Sequence, residues 1–423
     1  MHDFKYVNDQ LCCEGVKVAD LARRFGTPLY VYSHNTLVDH YTKLKEALGE
    51  IRPLICYSVK ANSNLAVIRA LVKEGAGLDI VSGGELYRAR LAGADPRKIV
   101  YAGVGKTRSE IDYALQEGIF FFNAESIAEL ELLNECAGDL NKTPYVAIRI
   151  NPDIEARTHK YITTGKRHTK FGLDFNTTRW VFVNSGKFPN LRLRGVHIHI
   201  GSQIVESGPF VNAIKKTRDF IFSLQKMGVK IEYFNIGGGL GIIYKNEKPQ
   251  TALDYAKAVV PILRGAGLKI ILEPGRFIAG NAGVLVAEVT YIKKTKSKNF
   301  IIINAGMNDL VRPVLYEAYH EILPVAKPKT ENRKPKTEKF DVVGPICESG
   351  DFFALDRRMQ EPQQGDLLAV MGAGAYGFSM SGNYNARPRA CEVIVSAKRV
   401  YKARARETLK DMVRGEAIPA FLK

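Results

Sequence analysis

The stretch "YSVKANSN", Tyr57 to Asn64, puts a lysine at the end of a short β-prone run and follows it with small and polar residues. A lysine there is either a surface residue whose stem lies along apolar surface, or an amine held by a rigid scaffold and able to form a Schiff base with a carbonyl compound. Lys60 alone does not decide between them. "IGGGLGIIY", Ile236 to Tyr244, offers glycines whose backbone can approach a phosphate with its N–H groups pointing inward. "EPGR", Glu273 to Arg276, holds a carboxylate and a guanidinium on either side of Gly275, and "HIHIGSQ", His197 to Gln203, an imidazole and a hydroxyl. Cys347, in "GPICESGD", would as an isolated cysteine be a small buried apolar residue.

These residues need elements that bring them together. Between residues 50 and 275, β-prone runs alternate with helix-like stretches such as "NLAVIRALVKEG", in which apolar residues recur at three- and four-residue spacing. The strand candidates are Leu54 to Lys60, Gly77 to Val81, Ile99 to Tyr101, Phe120 to Asn123, Tyr145 to Ile150, Gly195 to His199, Tyr233 to Ile236 and Lys269 to Glu273. Their number is that of an α/β (β/α)8 TIM barrel, in which every strand's C-terminal end faces one mouth. Lys60, Asp79, Arg149, His199, the glycines after Ile236, and Glu273 would then meet there, and the long interval Asn151 to Arg194 would carry an insertion over the mouth. After about residue 280, β-prone runs such as "AGVLVAEVTYIKKT" and "RACEVIVS" suggest a C-terminal antiparallel β-sandwich or barrel. The expected domains are a barrel over 30–280 and a β domain from 281–423, with 1–29 adding to it and "TPLYVYS" as a strand candidate.

Composition limits the function classes. The 423 residues, 46% hydrophobic and 25% charged, suit a globular protein of two domains. No apolar run approaches the roughly 20 residues that cross a bilayer, and the start, "MHDFKYVNDQ", lacks a signal-peptide pattern, so a cytoplasmic location and no membrane partner are expected. The six cysteines form neither a disulfide framework nor C-x-x-C metal spacing, so no metal is expected, and all but Cys347 read as structural thiols. Much of the net charge of +17 sits in "KPKTENRKPKTEK", read as a mobile loop, and in "KRVYKARAR". Without a recognition motif these are solvated surface, and no nucleic-acid partner is expected.

A Schiff-base lysine, a phosphate loop, a flat ring and a carboxylate for a ring nitrogen are the parts that pyridoxal 5'-phosphate (PLP) needs. Here "YSVKAN", "HIGSQ", "GGGLG", "EPGR", "NAGMNDLVRPVLYEAYH", "GPICESGD" and "GAYGFSMSGNYNARPR" follow one another through nearly the whole chain. In these motifs the sequence resembles the diaminopimelate decarboxylases. More distantly it is similar to the PLP-dependent ornithine and arginine decarboxylases, which share barrel and β domain with alanine racemase.

The resemblance implies that Lys60 links covalently to the cofactor, His199 stacks on its ring, Ser202, Gly238 and Gly239 hold the phosphate, and Glu273 pairs with the pyridine nitrogen. It sets Asp79, Gly275, Arg276 and Tyr376 in the cofactor site. Arg276, Arg312 and Tyr316 would bind a distal carboxylate, Glu348 a distal ammonium, and Tyr376 would lie near cofactor and substrate alike. Cys347 would return a proton to the α-carbon. The implied reaction converts meso-2,6-diaminopimelate to L-lysine and carbon dioxide, the last step of lysine synthesis, in a homodimer with shared active sites. The sequence departs from the family pattern at Ser58, where alanine is usual, at Asn304, where aspartate is common, and at Gly382, where serine is usual. Two other readings remain: decarboxylation of ornithine, arginine or carboxynorspermidine, and a silent PLP-binding carrier, which would need neither Cys347 nor the β domain.

Overall fold

The computed structural model describes residues 2–154, 170–327 and 337–423. The chain divides into two units, Leu37–Gly280, and Met1–Thr36 with Asn281–Lys423. In the first unit the parallel strands Leu54–Ser58, Gly77–Ile80, Ile99–Tyr101, Phe121–Ala124, Tyr145–Ile150, Arg192–Ile198, Tyr233–Asn235 and Lys269–Leu272 close into a barrel in chain order. The strands read as short, nearly continuous apolar runs because helices cover one face and the barrel interior the other. Polar residues just past the strands start the crossover helices. Asn64 caps Leu65–Lys73, Ser82 caps Gly83–Leu91, and Thr107 with Glu110 forms a reciprocal capping box on Arg108–Glu117.

Period-two alternation sorts the interior into layers. Cys56, Val100, Phe121, Ala147, Tyr233 and Ile271 pack together as an apolar layer. The Phe121 ring lies 5.1 Å from the Tyr233 ring, edge to face. It fits because position 195 is glycine: a Cβ there would stand 2.8 Å from the Phe121 Cζ and 3.0 Å from the Ala147 Cβ. Burying such a ring contributes about 1.5–3 kcal/mol. Two residues further along these strands, and therefore above this layer, come Ser58, Asn123, Arg149, Asn235 and Glu273, joined by His197 two residues beyond Gly195. The apolar layer closes the barrel beneath a polar one.

The second unit contains a mixed sheet, mostly antiparallel. Its path runs Phe352–Gln360, Thr337–Val343, Asn299–Ile303, Gly283–Lys294, Leu29–Ser33, Cys391–Ser396, Arg399–Arg404, with Leu367–Val370 pairing to Gly283–Lys294 and Ile322–Pro324 to Leu367–Val370. The strand candidate in "TPLYVYS" lies inside this sheet, antiparallel to Gly283–Lys294 and parallel to Cys391–Ser396. A second parallel pair joins Asn299–Ile303 to Thr337–Val343. Leu29, Val31, Val284, Val286, Ala369 and Val393 pack with Val18 and Leu21 from the helix Val18–Phe25 to form its core. Of the six cysteines, Cys347 is exposed and the rest are buried. Most of the basic run from Lys327 lies outside the described residues, as do residues 155–169 of the interval Asn151 to Arg194 expected to carry an insertion; the rest of that interval contains the helix Phe175–Val183. Among the described residues no helix is long and apolar enough to cross a membrane.

Candidate active site

Three barrel strands stop just short of the residues expected to do chemistry. The first strand ends at Ser58, and Lys60 sits in the one-turn segment Val59–Ala61 beyond it; His199 and Glu273 each follow directly after their strands. The Lys60 ammonium pairs with Oδ2 of fully buried Asp79 on the neighbouring strand. Ser58 donates to the same Oδ2 at 2.7 Å and is also 3.0 Å from the Glu273 carbonyl oxygen. The hydroxyl that departs from the family pattern thus ties the first, second and eighth strands together. Asp79 Oδ1 is buried and has no hydrogen-bond partner among the described residues.

Glu273 is held from three sides. Its Oε1 accepts from the Asn123 amide at 3.1 Å and the Asn235 amide at 2.5 Å, and its Oε2 lies 3.1 Å from His197 Nε2. Burial opposes ionisation of this carboxyl, but His197, Lys60 and the Asn235 amide outweigh it and hold the group well below the ordinary carboxylate range. Burial, reinforced by the Glu273 charge, pushes Asp79 the other way, against the pull of Lys60 and Ser58. Two nearby carboxylates are therefore driven apart in proton affinity, a pattern that separates acid from base roles. A carboxylate has about four acceptor positions, and the three donors named leave Glu273 room for one more.

The glycine loop is fastened to the loop after the sixth strand. Ile204 N–H donates to the Gly239 carbonyl at 2.9 Å, Gly241 N–H donates to the Ile204 carbonyl at 3.0 Å, and the Gln203 amide donates to the Ile242 carbonyl at 2.7 Å. Gly238 tolerates no side chain, since a Cβ would come 2.0 Å from the Glu273 carbonyl oxygen; Gly239 has φ +109°, and a Cβ there would come 2.5 Å from the Gly201 carbonyl oxygen. Gly238 N–H donates to His199 Nδ1 at 3.2 Å, which fixes the imidazole plane. Burial and the Arg149 and Lys60 charges depress the His199 pKa well below the ordinary histidine range, so the ring is neutral near pH 7. Buried Arg276 reaches Ser202 Oγ through Nη2 at 3.0 Å and the Tyr244 hydroxyl through Nη1 at 2.7 Å. Gly275 gives the backbone room beside Ser58 and Ala61, where a Cβ would meet theirs at 3.0 Å. The unpartnered Asp79 oxygen, the remaining acceptor of Glu273, the flat neutral ring and the glycine–serine–arginine cradle together suit a phosphorylated pyridine aldehyde. The residues present fit PLP.

The remaining expected residues belong to the β unit, where three segments are knotted together. Asp351 accepts from Met307 N–H at 2.6 Å through Oδ1 and from Ile346 N–H at 2.7 Å through Oδ2, joining the loop of Cys347 and Glu348 to the one that leads into Arg312. Cys347 N–H donates to Asn385 Oδ1 at 2.9 Å, and Gly382 N–H to the Asn308 carbonyl at 2.9 Å, which brings in the third segment. Arg312 is buried on the short helix Arg312–Tyr316, its Cζ 5.8 Å from the Tyr316 ring centroid. Tyr376 has φ +56°, uncommon for a bulky residue and a pointer to function. Asn304, the second departure, is satisfied by Glu288 N–H at 2.9 Å and Thr27 Oγ1 at 2.7 Å.

Reading motifs missed Asn123, His197 and Asn235, which surround Glu273. Their signal was present as polar residues two positions after Phe121, Gly195 and Tyr233, which lie at the level of the apolar layer, but it becomes legible only once strand register is known.

Comparison with known proteins follows the same lines. Residues 34–280 match the family described as pyridoxal-dependent decarboxylase, pyridoxal binding domain. The chain is 49% identical over 404 residues to a diaminopimelate decarboxylase of Aquifex aeolicus, covering 95% of this chain and 94% of that one. With the enzyme of the same name from Vibrio cholerae it shares 47% identity over 97% of this chain and 98% of that one. The crystal structure of diaminopimelate decarboxylase from M. jannaschii in complex with L-lysine is 38% identical, with a TM-score of 0.93 and 100% of both chains covered.

Proposed function

Because this chain belongs to the diaminopimelate decarboxylases, within the pyridoxal-dependent decarboxylases, we propose that it takes PLP and converts meso-2,6-diaminopimelate to L-lysine and carbon dioxide. The observation that carries this reading is the end of the barrel, where Lys60–Asp79 stands beside the three-sided clamp on Glu273 and the cradle of Gly238, Gly239, Ser202 and Arg276. Bound PLP supplies the electron sink that takes up the pair left when carbon dioxide departs. Lys60 Nζ binds the aldehyde, and Asp79 Oδ2, whose proton affinity is raised, is placed to accept a proton from that nitrogen. Glu273 keeps the pyridine nitrogen protonated, and His199 holds the ring flat.

In the same reading Arg312 and Tyr316 bind the distal carboxylate, with Arg276 assisting, while Glu348 meets the distal ammonium and Tyr376 lines the site. Cys347 Sγ delivers a proton to the α-carbon. We propose further that the enzyme is a cytoplasmic homodimer with shared active sites, as its family resemblance implies. Substrate choice is tested at Arg312. A guanidinium reads a carboxylate with two parallel hydrogen bonds, which an ammonium cannot reproduce. Arg312→Lys is expected to lower kcat/KM for diaminopimelate about ten- to a hundredfold, the weight of one charge-assisted hydrogen bond. Unchanged steady-state kinetics would move the distal pocket elsewhere and favour an ornithine-type substrate.

A further inference from the structure

His320 lies outside every motif role assigned above, yet it is completely buried and makes hydrogen bonds with both ring nitrogens. Its Nε2 is 3.3 Å from Nε of Arg312, and its Nδ1 is 2.8 Å from the Met371 carbonyl oxygen. These partners fix the tautomer. A guanidinium nitrogen can only donate and a carbonyl can only accept, so Nε2 presents its lone pair to Arg312 and Nδ1 carries the proton toward Met371. A doubly protonated ring would set N–H against N–H at Arg312.

The imidazole is anchored to the sheet. Met371 N–H donates to the Glu321 carbonyl at 2.8 Å, and both Nη atoms of Arg357 reach the His320 carbonyl oxygen at 3.1 Å. Met371 directly follows the strand Leu367–Val370. An acceptor fixed to this scaffold engages Nε of Arg312 and sets the plane of the guanidinium, and with it the direction of the edge carrying Nη1 and Nη2. That edge is the one a carboxylate reads with two bonds.

We propose that His320 is a positioning residue that sets specificity for a distal carboxylate by orienting Arg312. The inference rests on the reading of Arg312 given above. If His320 were merely a core residue joining Glu321 to Met371, its Nδ1–H would matter and its Nε2 would not. Two substitutions separate these cases. In His320→Asn the side-chain amide takes the place of Nδ1–H toward Met371, and the acceptor toward Arg312 is lost. In His320→Gln the amide oxygen takes the place of Nε2, and the donor toward Met371 is lost.

The experiment measures inhibition of the PLP-loaded enzyme by L-lysine and by 1,5-diaminopentane, which is lysine without its carboxylate, alongside Tm and steady-state kinetics with diaminopimelate. Wild type is expected to bind lysine more tightly than the diamine. His320→Asn should lose about three- to tenfold of that preference, the weight of one hydrogen bond, with KM raised, kcat little changed and diamine inhibition unmoved. His320→Gln should keep the preference and lose thermal stability. If wild type prefers lysine and folded His320→Asn keeps the whole preference, or folded His320→Gln loses it, His320 does not position Arg312. If wild type shows no preference, the assignment of Arg312 itself falls, and this inference with it.

Discussion

Lys60→Ala is expected to leave a folded protein that no longer holds PLP covalently and has lost at least about a thousandfold in activity, toward the upper end of what a single proton-transferring residue contributes. Among the described residues, the barrel lysines Lys60 and Lys106 differ in their surroundings. Lys106, its side chain 1% exposed, directs its ammonium at Glu129 and at the carbonyls of Gly103 and Asn123, three acceptors for three N–H groups. Lys60 is 34% exposed and pairs with Asp79, whose proton affinity burial has raised. An amine must shed its proton to attack an aldehyde, and Lys60 has the partner suited to take it. Borohydride reduction of the wild-type enzyme followed by peptide mapping should find the cofactor on Lys60. Cofactor on Lys106, or undiminished labelling in Lys60→Ala, would refute the assignment.

The second large effect concerns Cys347. Cys347→Ala should lose about a hundred- to ten-thousandfold in turnover, the usual contribution of a general acid, while still binding PLP. If the active sites are shared across a two-fold dimer, this variant and Lys60→Ala complement each other. Random exchange of subunits makes half the dimers mixed, and each mixed dimer has one site with both residues intact. About a quarter of wild-type activity should return on that two-fold counting. The check is co-incubation of differently tagged variants with carbon dioxide release measured after exchange is confirmed. Confirmed exchange without recovery would place Lys60 and Cys347 of one chain at the same site.

The barrel was readable because its strands are short, doubly buried and separated by helical periodicity with capping residues at their starts, and "YSVKAN", "GGGLG" and "EPGR" mark three strand ends. Strand limits were less so. Lys60, His199 and Glu273 read as strand residues but lie beyond Ser58, Ile198 and Leu272, because the chain must leave the ladder before a side chain can turn into the mouth. Asn123, His197 and Asn235 escaped notice because a polar residue on a β-prone run looks the same whether it faces the interior or a helix. Only register and alternation tell the two apart. In the β unit, the parallel pairing of Leu29–Ser33 with Cys391–Ser396 joins segments from opposite ends of the chain, and no local pattern encodes it. His320 was invisible for a related reason: one of its partners is a backbone carbonyl, at Met371.

This enzyme decarboxylates an amino acid bearing a second carboxylate at its far end. The direct measurement is carbon dioxide release by the PLP-loaded enzyme from meso-2,6-diaminopimelate, L-ornithine, L-arginine and L-lysine, with amino-acid products identified. Diaminopimelate should give L-lysine in equal amount to carbon dioxide, with kcat/KM at least about a hundredfold above the others, because each of those leaves a buried guanidinium at Arg312 without its anion. Faster release from ornithine or arginine than from diaminopimelate would contradict the account.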